Sequence, residues 1–133
     1  MEINRSVSGI SHKSLEALVE AVNREKRIFC DGVGRSRLKA EGFAMRLIQM
    51  GFTALVVGEA TTPAITRDDM LLICSASGET PMLVEHAAKA KKVGAAVMLI
   101  TTSETSSLAV LSDFVITIDA SSKTTRSDAS VQP

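Results

Sequence analysis

The stretch Met70-Leu71-Leu72-Ile73-Cys74-Ser75-Ala76-Ser77-Gly78-Glu79-Thr80 passes from an unbroken apolar segment into small hydroxyl residues and a glycine, and helical patterning follows from Pro81. An apolar run without alternation is a strand covered on both faces, as in a parallel sheet between helix layers. A strand that ends in Ser, Ser, Gly and Thr ahead of a helix gathers backbone N–H groups, side-chain O–H groups and the positive end of the helix around one point, which suits a phosphate. Ser75, Ser77 and Thr80 supply hydroxyls, the N–H groups of 76–80 complete the shell, and Gly78 permits close approach. The competing reading is an ordinary helix-capping loop, since Ser or Thr with a nearby Glu is also a capping signature.

Outward from this stretch, strands and helices alternate. Apolar runs predict strands over 27–31, 53–57, 70–74, 95–100 and 114–118. Helices are predicted over 38–50, with Phe43, Leu47 and Met50 inward, over 81–93 and over 106–111, with Gly51 and Gly94 closing the first two. Ser11 caps an earlier helix whose Leu15, Leu18, Val19 and Val22 share a stripe. The longest connection, 58–69, can carry the chain back across the sheet, which predicts strand order 2-1-3-4-5. The expected fold is α/β, a three-layer sandwich of a five-stranded parallel sheet flanked by helices. Such an order reverses between strands one and three, and open α/β sheets bind ligands in the crevice outside those carboxyl ends. A second loop, Asp31-Gly32-Val33-Gly34-Arg35-Ser36, leaves strand one beside that crevice with a guanidinium suited to a phosphate dianion. Thr101, Thr102 and Ser103 end strand four on the same edge, as ligand hydroxyls or as caps. Right-handed crossovers put the helix after strand one on one face and those after strands three and four on the other. The first face over strands three to five is then left to the N-terminal helix, and self-association is expected there.

With 133 residues, 45% hydrophobic, the chain holds one core: a single domain over 1–118 and a Ser/Thr-rich polar tail over 119–133. Fifteen acidic residues balance fifteen basic ones, and Trp and Tyr are absent, so neither charge nor stacking platforms favour nucleic acid. The first residues lack the apolar core of a signal peptide and no apolar run reaches membrane-spanning length, so the expectation is a cytoplasmic protein without a membrane partner. Cys30 and Cys74 read as reduced core thiols, no metal-ligand spacing accompanies them, and no cofactor is expected.

Gly32-Val33-Gly34 also invites a dinucleotide reading, with Glu59 where a ribose-binding acid would stand. Arg37 argues against it, because the third glycine of that fingerprint must pack closely on the sheet. Glu59 is then a solvated residue or a contact to a substrate hydroxyl. His12 and His86 can each move protons, although a lone helical histidine is more often structural. Arg46, on the helix after the Gly-Arg-Ser loop, faces either an interface or the site.

At Gly32 to Ser36, Phe43-Ala44-Met45-Arg46-Leu47, Val57-Gly58-Glu59-Ala60-Thr61-Thr62-Pro63-Ala64-Ile65, Ser75 to Thr80 and Ser130-Val131-Gln132-Pro133 the chain resembles the sugar isomerase (SIS) domain, and within it the 6-phospho-3-hexuloisomerases. The Ser-x-Ser-Gly-Glu-Thr loop is general to SIS domains; the Gly-Glu-x-Thr-Thr-Pro-Ala-Ile stretch is far more specific. The resemblance implies interconversion of a 3-hexulose 6-phosphate and fructose 6-phosphate through an enediol, in a homo-oligomer (dimer or tetramer). It implies that Ser36, Ser75, Ser77 and Thr80 hold the phosphate and that Gly34 and Arg35 shape the first loop; by their type and place, Gly78, Glu59 and Thr101 are expected as further phosphosugar contacts. It also implies a carboxylate base on a last helix beyond Pro133, which makes a fragment or truncated product the expectation and leaves Glu59, Glu79 and His86 as candidates within the chain. Arg37 departs from a position commonly glycine. The alternatives are a non-catalytic phosphosugar-sensing module and an SIS isomerase for another sugar phosphate.

Overall fold

In a computed structural model, residues 26–118 are described; the helix expected from Ser11 and the polar tail lie outside them. Five parallel strands, β1 (Arg27–Asp31), β2 (Thr53–Val56), β3 (Met70–Cys74), β4 (Ala96–Thr101) and β5 (Phe114–Thr117), form one sheet in the order β2-β1-β3-β4-β5. Helices α1 (Arg35–Gln49), α2 (Pro81–Val93) and α3 (Ser107–Leu111) connect them.

The central strand β3 is buried at every residue, and its side chains divide between two cores. Met70, Leu72 and Cys74 join Ile28, Cys30, Met98 and Ile116 on the face where α1 packs Ala40, Ala44 and Leu47. Leu71 and Ile73 join Phe29, Val97 and Leu99 on the opposite face, under Leu83, Ala87 and Ala90 of α2 and Leu108 of α3. This is the division that right-handed crossovers demand when the strand order reverses.

Helix α1 begins at Arg35, three residues before the start expected from its apolar stripe. Gly34, at φ 63, is its N-cap and supplies no side-chain cap, so the sequence carries no capping signal there. Its far end closes as expected: Gly51 adopts φ 94, its N–H bonds Ile48 O, and the Phe52 N–H reaches Leu47 O at 2.9 Å. Asp31 pairs in register with Ile73, so the 32–36 and 75–80 loops leave neighbouring strands at one edge.

Candidate phosphosugar site

The loop after β3 is braced from inside. Ser75 is buried; its N–H bonds Ile100 O, and its Oγ accepts from the Gly78 N–H at 3.0 Å. The Ala76 carbonyl accepts from Thr101 Oγ1 at 3.0 Å and Thr102 Oγ1 at 2.7 Å, so the end of β4 pins the loop. Thr101 Oγ1 also accepts from the Ser103 N–H, which makes this hydroxyl a brace. Gly78 has φ 71, and a Cβ there would run into the Ser106 side chain, so both its backbone and its surroundings require glycine.

The outward groups are less committed. Ser77 is exposed, and its Oγ accepts from the Glu79 N–H at 3.1 Å. Thr80 stands at the N-cap of α2 without a side-chain cap bond. Among the described residues, the Ser77 and Thr80 N–H groups have no hydrogen-bond partner. Free donors at the start of a 13-residue helix are what an anion needs. On the neighbouring loop, a Cβ on Gly32 would stand 2.6 Å from the Ser36 carbonyl oxygen, so the backbone closes tightly before α1. Arg35 is exposed and Ser36 half-buried at the first turn of that helix.

The acid and histidine candidates fall into three environments. Glu79 accepts from Ser107 Oγ at 2.6 Å and the Ser107 N–H at 2.9 Å; these bonds hold its carboxyl below the ordinary range and tie the loop to α3. Glu59 is exposed and pairs with Arg37 Nη2 at 3.0 Å. Arg37 also donates to Val57 O at 2.8 Å and pairs with Glu41, so the departure from glycine works as a strut between α1 and the end of β2. His86 projects from α2 to Asp31, with Nδ1 2.7 Å from Oδ2 of a carboxylate that is 3% exposed, while Oδ1 accepts from the Gly32 N–H at 2.9 Å.

Asp31 is a further candidate that spacing does not assign; its signal in the sequence is an acid closing the otherwise apolar end of Arg-Ile-Phe-Cys-Asp. Asp31, His86 and Glu59 line a pocket of about 290 Å³ between the 58–65 connection and α2, walled by Phe29, Val57, Ile65 and Leu71. No group of three or more His, Cys, Asp or Glu residues among the described ones is placed to hold a metal. No described helix is long and apolar enough to cross a membrane.

A parallel sheet in this order is a doubly wound α/β architecture, with the hydroxyl-lined loop ahead of α2 at the carboxyl edge where such sheets bind ligands. The SIS domain family profile matches residues 21–132, and the chain belongs to that family. Within it, the chain is 39% identical over 122 residues to the 3-hexulose-6-phosphate isomerase of Bacillus subtilis, covering 92% of this chain and 66% of that protein. A hypothetical protein of Methanococcus jannaschii, whose crystal structure was reported to infer the molecular function of a 3-hexulose-6-phosphate isomerase, matches with TM-score 0.71 at 35% identity, over 79% of this chain and 59% of that one. The Vibrio vulnificus NanR protein complexed with ManNAc-6P matches with TM-score 0.67 at 29% identity, over 80% of this chain and 42% of that one. The chain spans no more than about two thirds of the length of the curated isomerases it matches.

Proposed function

We propose that this SIS domain binds a phosphorylated hexulose at the carboxyl edge of β1 and β3 and serves the interconversion of 3-hexulose 6-phosphate and fructose 6-phosphate through an enediol. The observation that carries the reading is the 75–80 loop, whose Ser77 and Thr80 N–H groups have no partner among the described residues at the start of α2, in a chain 39% identical to a hexulose-phosphate isomerase. Ser75 and Ser77 spend an acceptor on their own loop and keep their O–H donors for phosphate oxygens. Thr80, Ser36 and Arg35 complete the set, with Gly34 and Gly78 shaping the two loops. A cytoplasmic homo-oligomer is part of the proposal, supported by the exposed apolar side chains of α1.

Two measurements test it. Calorimetry should find fructose 6-phosphate bound by the chain, and Ser77→Ala with Thr80→Ala should weaken it more than tenfold, since each charge-assisted hydrogen bond is worth about 1.5 to 3 kcal/mol. A coupled assay should follow fructose 6-phosphate formation from the 3-hexulose 6-phosphate. Unchanged affinity in the double variant refutes the phosphate assignment. The likeness to a ManNAc-6P complex of NanR supports a second reading, a sensing module that binds phosphosugar without turning it over; binding without turnover in the assay selects it.

A further inference from the structure

Asp31 ends β1 where the first loop begins. Side chains alternate along a strand, so Asp31 shares the α2 face with Phe29, while Cys30 lies on the α1 face. Its side chain is 3% exposed, and a buried carboxylate persists only when its oxygens are paired. Both oxygens are engaged: Oδ1 accepts from the Gly32 N–H at 2.9 Å, and Oδ2 lies 2.7 Å from His86 Nδ1. A carboxylate only accepts, so Nδ1 carries the hydrogen and donates it.

These two bonds reach the two arms of the proposed phosphate site. Gly32 opens the 32–36 loop, and its backbone approaches Ser36 so closely that a Cβ on it would stand 2.6 Å from the Ser36 carbonyl oxygen. A shift at Gly32 is therefore passed to Ser36. His86 stands on α2, the 13-residue helix that begins directly after the 75–80 loop. The register of β1 on β3 ends with Asp31 against Ile73, and beyond it no hydrogen bond among the described residues runs from one loop to the other.

We infer that Asp31 and His86 are positioning residues, which hold the 32–36 loop against α2 so that Ser36 and the 75–80 loop meet one phosphate. The inference rests on the phosphosugar reading above and adds to it the residues that set the distance between its two loops. Neither residue needs to touch the ligand. The effect runs from His86 to Asp31, to the Gly32 N–H and on to Ser36.

Two substitutions separate positioning from a merely structural pair. His86→Asn places an amide N–H where Nδ1 stands and keeps the bond to Asp31; His86→Gln carries its amide past that place and loses the bond. Gln is the better helix former, so a role in the stability of α2 alone would favour it over Asn. The His86 side chain is 30% exposed, so both variants should fold, and thermal melts check this. Calorimetry is run with fructose 6-phosphate and with inorganic phosphate on the wild-type chain, both variants, Ser36→Ala, and Ser36→Ala combined with His86→Gln. The expected result is that His86→Gln loses on the order of fivefold in affinity for both ligands while His86→Asn stays near wild type. In the Ser36→Ala background His86→Gln should add little, because contributions along one chain of contacts are not additive. Wild-type affinity in His86→Gln, equal losses in the two His86 variants, or an undiminished loss in the Ser36→Ala background overturns the inference and leaves the 75–80 loop assignment standing. A Ser36→Ala chain that binds as wild type removes the first loop from the phosphate, and the inference with it. A wild-type chain that binds neither ligand overturns the phosphosugar reading itself.

Discussion

A hydroxyl that accepts a hydrogen bond still has its proton to give, and this separates Ser75 and Ser77 from Thr101. The first two accept from N–H groups of their own loop, whereas Thr101 Oγ1 donates to the Ala76 carbonyl and accepts from the Ser103 N–H. Residue type placed all three at the edge; their hydrogen bonds divide them into two hydroxyls that keep a donor, as the proposed phosphate site requires, and a brace. The cysteines are governed by burial in the same residue-by-residue way. Burial pushes the Cys74 thiol up to about 12 and raises Cys30 as well. The thiolate is the reactive form, so Ellman's reagent at pH 8 should label neither cysteine in the native chain and both in denaturant. Because the folded values lie above the unfolded value of about 8.5, this contribution to stability is complete below that pH and is lost as pH rises toward about 12. Rapid labelling of the native chain would show that the strand ends open.

At the scale of elements, the amino ends of the strands are tied by one carboxylate. Asp69, just before β3, accepts from Arg27 Nε and Nη2, both at 2.8 Å, and from the Thr66 N–H, closing the long connection against β1. Burial alone would push Asp69 up, but the bonds from Arg27 and Thr66 outweigh it and hold the carboxyl below the ordinary range. Breaking a buried pair costs about 3–5 kcal/mol. With the Arg27 side chain 35% exposed, Asp69→Ala should cost about 2–3 kcal/mol in chemical denaturation. Asp113, held down by Lys91 and the Val97 N–H against its own burial, acts in the same direction. Both folded values lie below the unfolded value of about 3.9, so their stabilisation is present above that pH and lost as pH falls through it. Asp69→Asn should flatten that acid loss; an unchanged slope would refute the assignment. The elements themselves were legible because five apolar runs without alternation have few other homes and a twelve-residue connection dictates where the order reverses. The start of α1 was not, because Gly34 caps it through backbone conformation and not through a side chain. Nor was the Asp31–His86 pair, whose members stand 55 residues apart and meet only after β1 and α2 are laid together. The loops could be read as a phosphate site; the occupations of Glu79 by Ser107 and of Glu59 by Arg37 are long-range contacts that spacing does not encode.

For the whole molecule, the unresolved balance is on the outer side of α1. Leu38, Met45 and Ile48 are 69%, 59% and 55% exposed, and the first two lie seven residues apart on one stripe. Gly42 sits between them, and no described residue comes within 4 Å of where a Cβ would stand. A glycine inside a helix costs about 1 kcal/mol relative to alanine, a cost that a closely packed neighbouring backbone offsets. Three large apolar side chains around a bare helical backbone suit the isologous contact of two copies, in which the same patch serves both sides. The proposed homo-oligomer should therefore appear in light scattering as a dimer or larger species at micromolar concentration. Leu38→Glu with Met45→Glu should shift it toward monomer while the far-ultraviolet circular dichroism stays unchanged, because neither side chain belongs to the core that α1 builds from Ala40, Ala44 and Leu47. A wild-type monomer would refute self-association, and an assembly indifferent to both glutamates would move its contact to another face. Either result leaves the carboxyl edge of β1 and β3 untouched, since the exposed Leu38 and Met45 point away from the sheet whose strand ends carry the proposed site.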